Sequence, residues 1–229
     1  MSMDRLFSTS RDFRDDFHRN IVSLRKSEDL FDDINDGDPA LSSLAQRTEM
    51  GLKANVPTGT IQRGFFYSAP FQYPFTQITA SRYSDGSFGV LYGSLDMETT
   101  VYETVHHMVR YTLGIEGIAG EIIRERAVYL VHCNAILLDL TARGTGYPEL
   151  LSDDYTFAQQ IGKRVSSEGH PGLLAPSARR PRSVNTVIFN PDVLSNARIN
   201  CYLLYRMNVP KRVVNVEREP GVRWLEIGF

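Results

Sequence analysis

The chain has 229 residues, 42% of them hydrophobic and 23% charged, which is typical of a folded domain and excludes a largely disordered protein. The formal net charge of −2 excludes a broad basic surface that would gather nucleic acid or an anionic membrane. Cys133 and Cys201 are the two cysteines and lie in apolar segments, so we expect reduced thiols and a cytoplasmic protein. The first residues carry charges where a secretion signal needs an apolar run, and no apolar stretch approaches the roughly 20 residues of a membrane helix. We therefore expect a soluble protein that binds neither membranes nor nucleic acid directly.

The N-terminal part of the chain has helical periodicity and more charge than the part that follows. Apolar residues recur at helical spacing in its first segment: Phe13, Phe17, Ile21 and Leu24. This spacing predicts an amphipathic helix over residues 10–24. Two further short helices are predicted at residues 30–34 and 40–50. We therefore expect an N-terminal helical extension at residues 1–58 and a main domain at residues 59–229.

The main domain mixes predicted strands with two predicted helices. Helical periodicity predicts a helix at residues 97–111, with Asp96 as its N-cap and Gly114 at its exit, and a second helix at residues 154–167. These elements do not alternate in a regular βαβ order, so the sequence predicts an α+β fold in which helices flank a mixed sheet. Runs of β-branched and aromatic residues predict the strands at 61–67, 76–80, 88–93, 127–134, 136–140, 184–189, 199–207 and 212–216.

The first candidate for chemistry is a carboxylate on the helix at residues 97–111. Glu103 and His107 stand four residues apart and share one helix face, whereas the apolar row points elsewhere. Tyr92 ends a predicted strand just before this helix, and Arg82 ends the run before it. If those runs pair, Arg82, Tyr92 and Glu103 converge on one cleft, and such a set suits a ligand with a flat ring, a phosphate and a sugar. The competing interpretations are a solvated ion pair for Glu103 and His107 and a core position for Tyr92.

The second candidate is the loop at residues 169–183, whose prolines and glycines restrict the backbone. Ser177 can offer a hydroxyl to a phosphate or a ribose, and Asn185 at the start of the next strand can hold this loop or touch the ligand. For Arg179 and Arg180, ligand binding and a solvated surface are equally compatible with the sequence. The loop alone does not define an activity.

Several common kinds of site do not fit the sequence. Glu103-x-x-His106 would be half of a helical two-metal site, but the second copy that such sites need is missing. Gly144-Thr145-Gly146 lacks the third glycine of a dinucleotide fingerprint, and no P-loop occurs. Ser177 does not stand in a nucleophile elbow. We therefore expect neither a metal nor a bound cofactor.

The order of the candidate residues resembles the pattern of the RES domain, from about Gln62 to Phe229. Two departures occur, because Ser81-Arg82-Tyr83 stands where that family often has Gly-Arg-Trp, and Gly64 follows the first arginine. The residues that carry the resemblance are Arg63, Arg82, Tyr92, Glu103, His107, Ser177 and Asn185.

The resemblance implies a fold similar to that of ADP-ribosyltransferase toxins and a bacterial toxin that depletes NAD and pairs with a helical antitoxin. It implies that Glu103, Arg82, Tyr92 and Ser177 are catalytic, and that Arg63, Tyr92, His107 and Asn185 bind the substrate. NAD is then a substrate and not a cofactor, and inorganic phosphate is the expected co-substrate of an NAD phosphorylase. Water as the acceptor would give an NAD glycohydrolase, and a protein side chain would give an ADP-ribosyltransferase. The competing hypothesis is a non-enzymatic module that binds a partner, and a homo-oligomer is also compatible with the sequence.

Overall fold

The computed structural model describes residues 3–23, 65–118 and 120–229 of the protein. Three α-helices occur in this part: α1 (Phe65–Thr76), α2 (Met97–Leu113) and α3 (Thr156–Ser167). Short 3-10 turns lie at Met3–Ser8, Pro148–Leu151 and Pro191–Val193. The strands are β1 (Ser10–Val22), β2 (Leu91–Ser94), β3 (Glu121–Asp139), β4 (Gly172–Pro176), β5 (Val184–Ile188), β6 (Leu194–Asn208), β7 (Val213–Glu219) and β8 (Val222–Gly228).

All of these strands belong to one mixed sheet, in the order β1-β2-β5-β4-β3-β6-β7-β8. An additional pairing joins β1 to β3, so β1, β2, β5, β4 and β3 close a ring from which β6, β7 and β8 continue. Strands β3 and β4 are parallel, and the other neighbours are antiparallel. The predicted α+β class is confirmed.

The helix predicted over residues 10–24 is wrong, because residues 10–22 form strand β1. Phe13, Phe17 and Ile21 are four residues apart, and an even spacing also places them on one face of a strand. Because β1 pairs antiparallel with β3 along its whole length, the segment is a strand and not a helix. The helices predicted at 30–34 and 40–50 lie outside the described residues, and the domain boundary at residue 58 stays a prediction.

Several predicted strands differ from the strands in the structure. Residues 65–67 open α1 instead of a strand, and residues 61–64 lie outside the described residues. Residues 76–80 are not a strand, since α1 ends at Thr76 and an irregular segment follows. The two strands predicted between residues 127 and 140 are one long strand, β3. Strands β4 and β8 were not predicted.

Helix α2 begins and ends as its sequence predicts. The Asp96 carboxylate accepts a hydrogen bond from the Thr99 backbone N–H at 2.9 Å, and Gly114 is the C-cap. Its apolar row, Val101, Val105 and Val109, packs on the sheet. This packing leaves the Glu103 side of the helix facing along the sheet surface rather than into the core.

Helices lie on both faces of the sheet. Helix α3 packs through Ala158, Ile161 and Val165 on the outer face of the ring, whereas α1 packs against the cluster inside it. Phe17 fills the interior and is held against Gly93, where an added Cβ would stand 2.2 Å from the Phe17 ring. In the described part of the chain, no helix has the length and apolar character needed to cross a membrane.

Candidate active site

A polar site lies on the outer face of the sheet, where β2 and β5 meet α2. Ser94 of β2 is paired with Asn185 of β5, so both side chains stand on the same face. Tyr92, two residues before Ser94, shares that face because side chains alternate along a strand. The side chain of Glu103, in the middle of α2, is hydrogen-bonded to Asn185.

Two neutral groups hold the Glu103 carboxylate by a single oxygen. Oε1 accepts a hydrogen bond from Ser177 Oγ at 2.7 Å and another from Asn185 Nδ2 at 2.7 Å. Ser94 Oγ donates to Asn185 Oδ1 at 2.7 Å, which fixes the amide so that its nitrogen faces the carboxylate. Among the described residues no hydrogen bond reaches Oε2 of Glu103 and no arginine or lysine pairs with it. The carboxylate is therefore oriented without being neutralised.

The Ser177 hydroxyl is held in one orientation by its own loop. Its oxygen accepts the backbone N–H groups of Arg179 at 3.2 Å and Arg180 at 3.1 Å. The Ser177 N–H in turn donates to the Ser183 carbonyl at 2.8 Å, which closes the loop. Because both N–H groups point at the oxygen, the hydroxyl proton is directed to Glu103. Ser177 is only 5% exposed.

Tyr92 fixes the turn that carries Arg82. Its hydroxyl shares a hydrogen bond of 2.8 Å with Ser81 Oγ and accepts the backbone N–H of Tyr83 at 2.9 Å. Burial raises the pKa of Tyr92 to about 12, so this phenol is neutral at pH 7. Its ring packs against the apolar cluster under α3.

Arg82 is itself anchored on the far side of the turn. Its Nη1 donates to the carbonyl oxygens of Leu150 at 3.2 Å and Ser152 at 2.6 Å, and its guanidinium lies 4.6 Å from the ring centre of Tyr155. Its positive charge opposes the burial that raises the pKa of Tyr92. Arg82 thus contributes positive charge beside the site from a fixed position.

His107 lies one turn beyond Glu103 on α2, and no hydrogen bond joins the two side chains. The pKa of His107 is lowered, chiefly because surrounding protein atoms displace water from the imidazole. The negative charge of Glu103 opposes this shift, and the positive charges of Arg179 and Arg82 add to it. The imidazole therefore favours its neutral form.

Arg179 and Arg180 clamp the Ser177 loop from both sides. Arg179 forms an ion pair with Asp153, in the segment that precedes α3. Arg180 pairs with Asp96 at 2.7 Å and with Glu98, both at the start of α2. The loop is therefore tied to the start of α2 and to the segment that precedes α3. No group of three or more His, Cys, Asp or Glu side chains that could hold a metal occurs in the described ranges.

The structure brings together four of the seven residues that the sequence singled out. Glu103, Ser177 and Asn185 are joined by direct hydrogen bonds, and Tyr92 stands on the same face of the sheet. Arg82 and His107 lie near this group, since the Arg82 charge acts on Tyr92 and the Glu103 charge acts on His107. Arg63 lies outside the described residues.

Two residues of the site were missed by the sequence. Ser94 orients Asn185 across the β2–β5 pair, and Asp153 binds the arginine beside Ser177. A serine at a strand end and an aspartate in a loop carry no distinguishing signal, because each role depends on a contact between distant parts of the chain. Their identification requires the strand register and the loop path.

The fold and the site together define an α+β protein in which hydrogen bonds from a hydroxyl and an amide orient a carboxylate on one face of the sheet. A family model described as the RES domain matches residues 59–208, and the chain belongs to this family. Among solved structures, a similar chain occurs in the crystal structure of the M. tuberculosis MbcT–MbcA toxin–antitoxin complex. That similarity has a TM-score of 0.46 at 10% sequence identity and covers 84% of this chain and 85% of the other. The comparison with curated proteins gives no match.

Proposed function

We propose that the protein is a toxin-like enzyme that cleaves the bond between nicotinamide and ribose in NAD and transfers the ADP-ribosyl group to inorganic phosphate. The observation that carries this proposal is the Glu103 carboxylate, which Ser177 and Asn185 hold by one oxygen while the other makes no hydrogen bond to the described residues. Membership of the RES domain family supports NAD as the substrate class.

The chemistry requires a negative charge at a defined place. As the bond to nicotinamide breaks, positive charge develops on the ribose ring in an oxocarbenium-like transition state. A preoriented carboxylate stabilises that charge without having to reorganise during the reaction. Hydrogen bonds from a hydroxyl and an amide orient Glu103 and leave its net charge intact, whereas an arginine partner would cancel it. Oε2 of Glu103 is the oxygen that would face the ribose.

The surroundings of Glu103 favour an anionic acceptor. Arg82 and Arg179 both lower the pKa of His107, so both positive charges act on the same small region of α2. Positive charge attracts phosphate and has no such effect on water, which supports phosphorolysis over hydrolysis. Arg82 and His107 would contact the substrate from this side, and Arg63 is proposed as a further phosphate ligand. Tyr92 would border the nicotinamide.

We also propose a protein partner and a compartment. Membership of the RES domain family supports a toxin that is neutralised by a helical antitoxin protein. NAD is abundant inside cells, so a toxin that depletes it would act in the cytoplasm. Copurification of the protein with a helical protein that suppresses its NAD cleavage would test this pairing.

The test is incubation of the purified protein with NAD, with and without inorganic phosphate, followed by mass measurement of the products. Nicotinamide together with phosphate-linked ADP-ribose, formed only when phosphate is present, is the expected result. Free ADP-ribose in both reactions would instead identify a glycohydrolase. A mass increase on a protein would identify an ADP-ribosyltransferase, and unchanged NAD would favour a binding module and overturn the proposal.

A further inference from the structure

Arg179 stands beside the proposed catalytic carboxylate and adds positive charge there, but no direct contact with a ligand is assigned to it above. Its backbone N–H donates to Ser177 Oγ at 3.2 Å, and Ser177 in turn donates to Glu103 at 2.7 Å. The Arg179 side chain is 15% exposed, whereas the Asp153 side chain that pairs with it is 63% exposed. The ion pair therefore joins a largely buried guanidinium to a carboxylate that is mostly exposed to solvent.

Two nitrogen atoms near this ion pair are buried and have no hydrogen-bond partner within residues 3–23, 65–118 and 120–229. They are Nε of Arg179 and Nε2 of His106. His106 follows Glu103 by three residues on α2, so both side chains stand on the same side of the helix. Buried polar atoms are nearly always paired in folded proteins, and those without a partner need a specific reason. A ligand with several acceptor oxygens would satisfy both atoms.

Positive charge from more than one residue acts on Asp153. The hydrogen bond from Arg179 lowers the pKa of Asp153, and the charges of His106 and Arg82 act in the same direction. The pKa of His106 is lowered by burial and by the charge of Arg179, while Asp153 and Glu103 oppose that shift. Asp153 is thus an anion that pairs with Arg179 and lies near Arg82 and near a histidine whose neutral form is favoured.

We propose that Arg179 and His106 form a phosphate-binding subsite beside Glu103, and that the Asp153 carboxylate occupies this subsite until a phosphate group displaces it. The inference rests on the proposed function for its choice of ligand. A phosphate offers three or more acceptor oxygens to the guanidinium fork, so it can reach Nε and the imidazole as well as the Nη2 atom that Asp153 contacts. The phosphate is either the inorganic acceptor or part of the NAD diphosphate.

The two partners of the ion pair should respond in opposite directions when they are changed. Asp153→Asn removes the internal competitor and should tighten phosphate binding roughly three- to tenfold. Arg179→Gln removes the main ligand and should weaken binding at least about tenfold, with partial recovery in Arg179→Lys. Asp154→Asn is the matched control, because the Asp154 carboxylate accepts hydrogen bonds from the N–H and the hydroxyl of Thr156, whereas the ion pair of Arg179 is with Asp153.

The experiment is calorimetric titration of each variant with inorganic phosphate and, separately, with ADP-ribose in a chloride buffer. All variants carry Glu103→Gln, so binding is measured without turnover and remains measurable if NAD is not the substrate. Tighter binding of inorganic phosphate alone by Asp153→Asn assigns the subsite to the acceptor, and tighter binding of ADP-ribose assigns it to the diphosphate. Weaker binding by Asp153→Asn, or binding unchanged in both the Asp153 and the Arg179 variants, overturns the inference. Thermal melting of each variant verifies that it is folded.

Discussion

Ser177 Oγ and Glu103 Oε1 are joined by a hydrogen bond of 2.7 Å between residues 74 positions apart in the chain. One stands on the loop after β4 and the other on α2, so the bond connects two separately folded segments. The carboxylate is consequently positioned by the tertiary fold and not by its own helix. Each side chain around it can therefore be tested separately.

Glu103→Gln keeps the shape of the side chain and an oxygen that can accept from Ser177 and Asn185, but it removes the negative charge. We expect turnover of NAD to fall at least about a hundredfold, the effect that one preoriented electrostatic contact typically has. Steady-state measurement of nicotinamide release checks this. Glu116→Gln, on the exposed segment after α2, is the control and should keep normal turnover. A Glu103 variant with near-normal rates would rule out the assigned role.

Ser177→Ala and Asn185→Ala each remove one of the two donors to the same carboxylate oxygen. We expect each to lower kcat about ten- to a hundredfold, since hydrogen bonds to charged groups contribute roughly 1.5–3 kcal/mol. The double variant should lose less than the product of the single effects, because one remaining donor cannot orient the oxygen alone. Ser167→Ala, at the exposed end of α3, serves as the control. Fully multiplicative losses would mean that the two donors act independently.

Tyr92→Phe leaves the aromatic ring in place and removes the hydroxyl that binds the turn at residues 81–84. The Tyr83 N–H then loses its partner in a buried place, and we expect a loss of about 1–3 kcal/mol in the free energy of unfolding. Urea denaturation of the variant measures this loss. Tyr111→Phe, on the exposed side of α2, should show no comparable change. Unchanged stability of Tyr92→Phe would show that the hydroxyl does not hold the turn.

Gly162→Ala tests the contact between α3 and the turn that carries Arg82. An added Cβ at Gly162 would stand 1.8 Å from the Tyr83 carbonyl oxygen, so the helix or the turn must move. We expect a destabilisation of about 3 kcal/mol or more, together with reduced turnover of NAD. Gly146→Ala has its nearest neighbouring atom at 3.8 Å and should be tolerated. Similar melting temperatures for the two variants would contradict this contact.

His18, on β1, makes stability depend on pH. Burial lowers the pKa of His18 below its ordinary 6.5, although the carbonyls of Leu95 and Ser94 and the charges of Asp96 and Asp16 oppose the shift. The unfolded chain therefore takes up a proton first as the pH falls through 6.5, and folding stability is lost over that range and below it. His18→Gln should lose less stability than the unsubstituted protein between pH 7.5 and 5.5, as measured by thermal melting. An equal loss of stability in His18→Gln and in the unsubstituted protein would contradict the prediction.

Local signals in the sequence predicted α2 well, because Asp96 and Gly114 mark its ends and its apolar residues follow one period. Strand β1 was mistaken for a helix, since its apolar residues are four apart and fit both periods until β3 supplies a partner. The carboxylate, the hydroxyl and the amide of the site were recognised from their order in the chain. The sequence did not indicate Ser94 or Asp153, because the role of Ser94 depends on the register of β2 and β5 and the role of Asp153 depends on the path of its loop.

The ring that β1 closes has a consequence for how the chain is made. Strand β1 is synthesised first, but β3, with which it pairs along its whole length, leaves the ribosome only after α2. At a synthesis rate of roughly 5–20 residues per second, several seconds pass between the synthesis of β1 and that of β3. During this time β1 lacks the strand with which it pairs. The family match begins at residue 59, so a truncated chain that starts there would lack β1 and leave β2 and β3 with bare edges prone to aggregation.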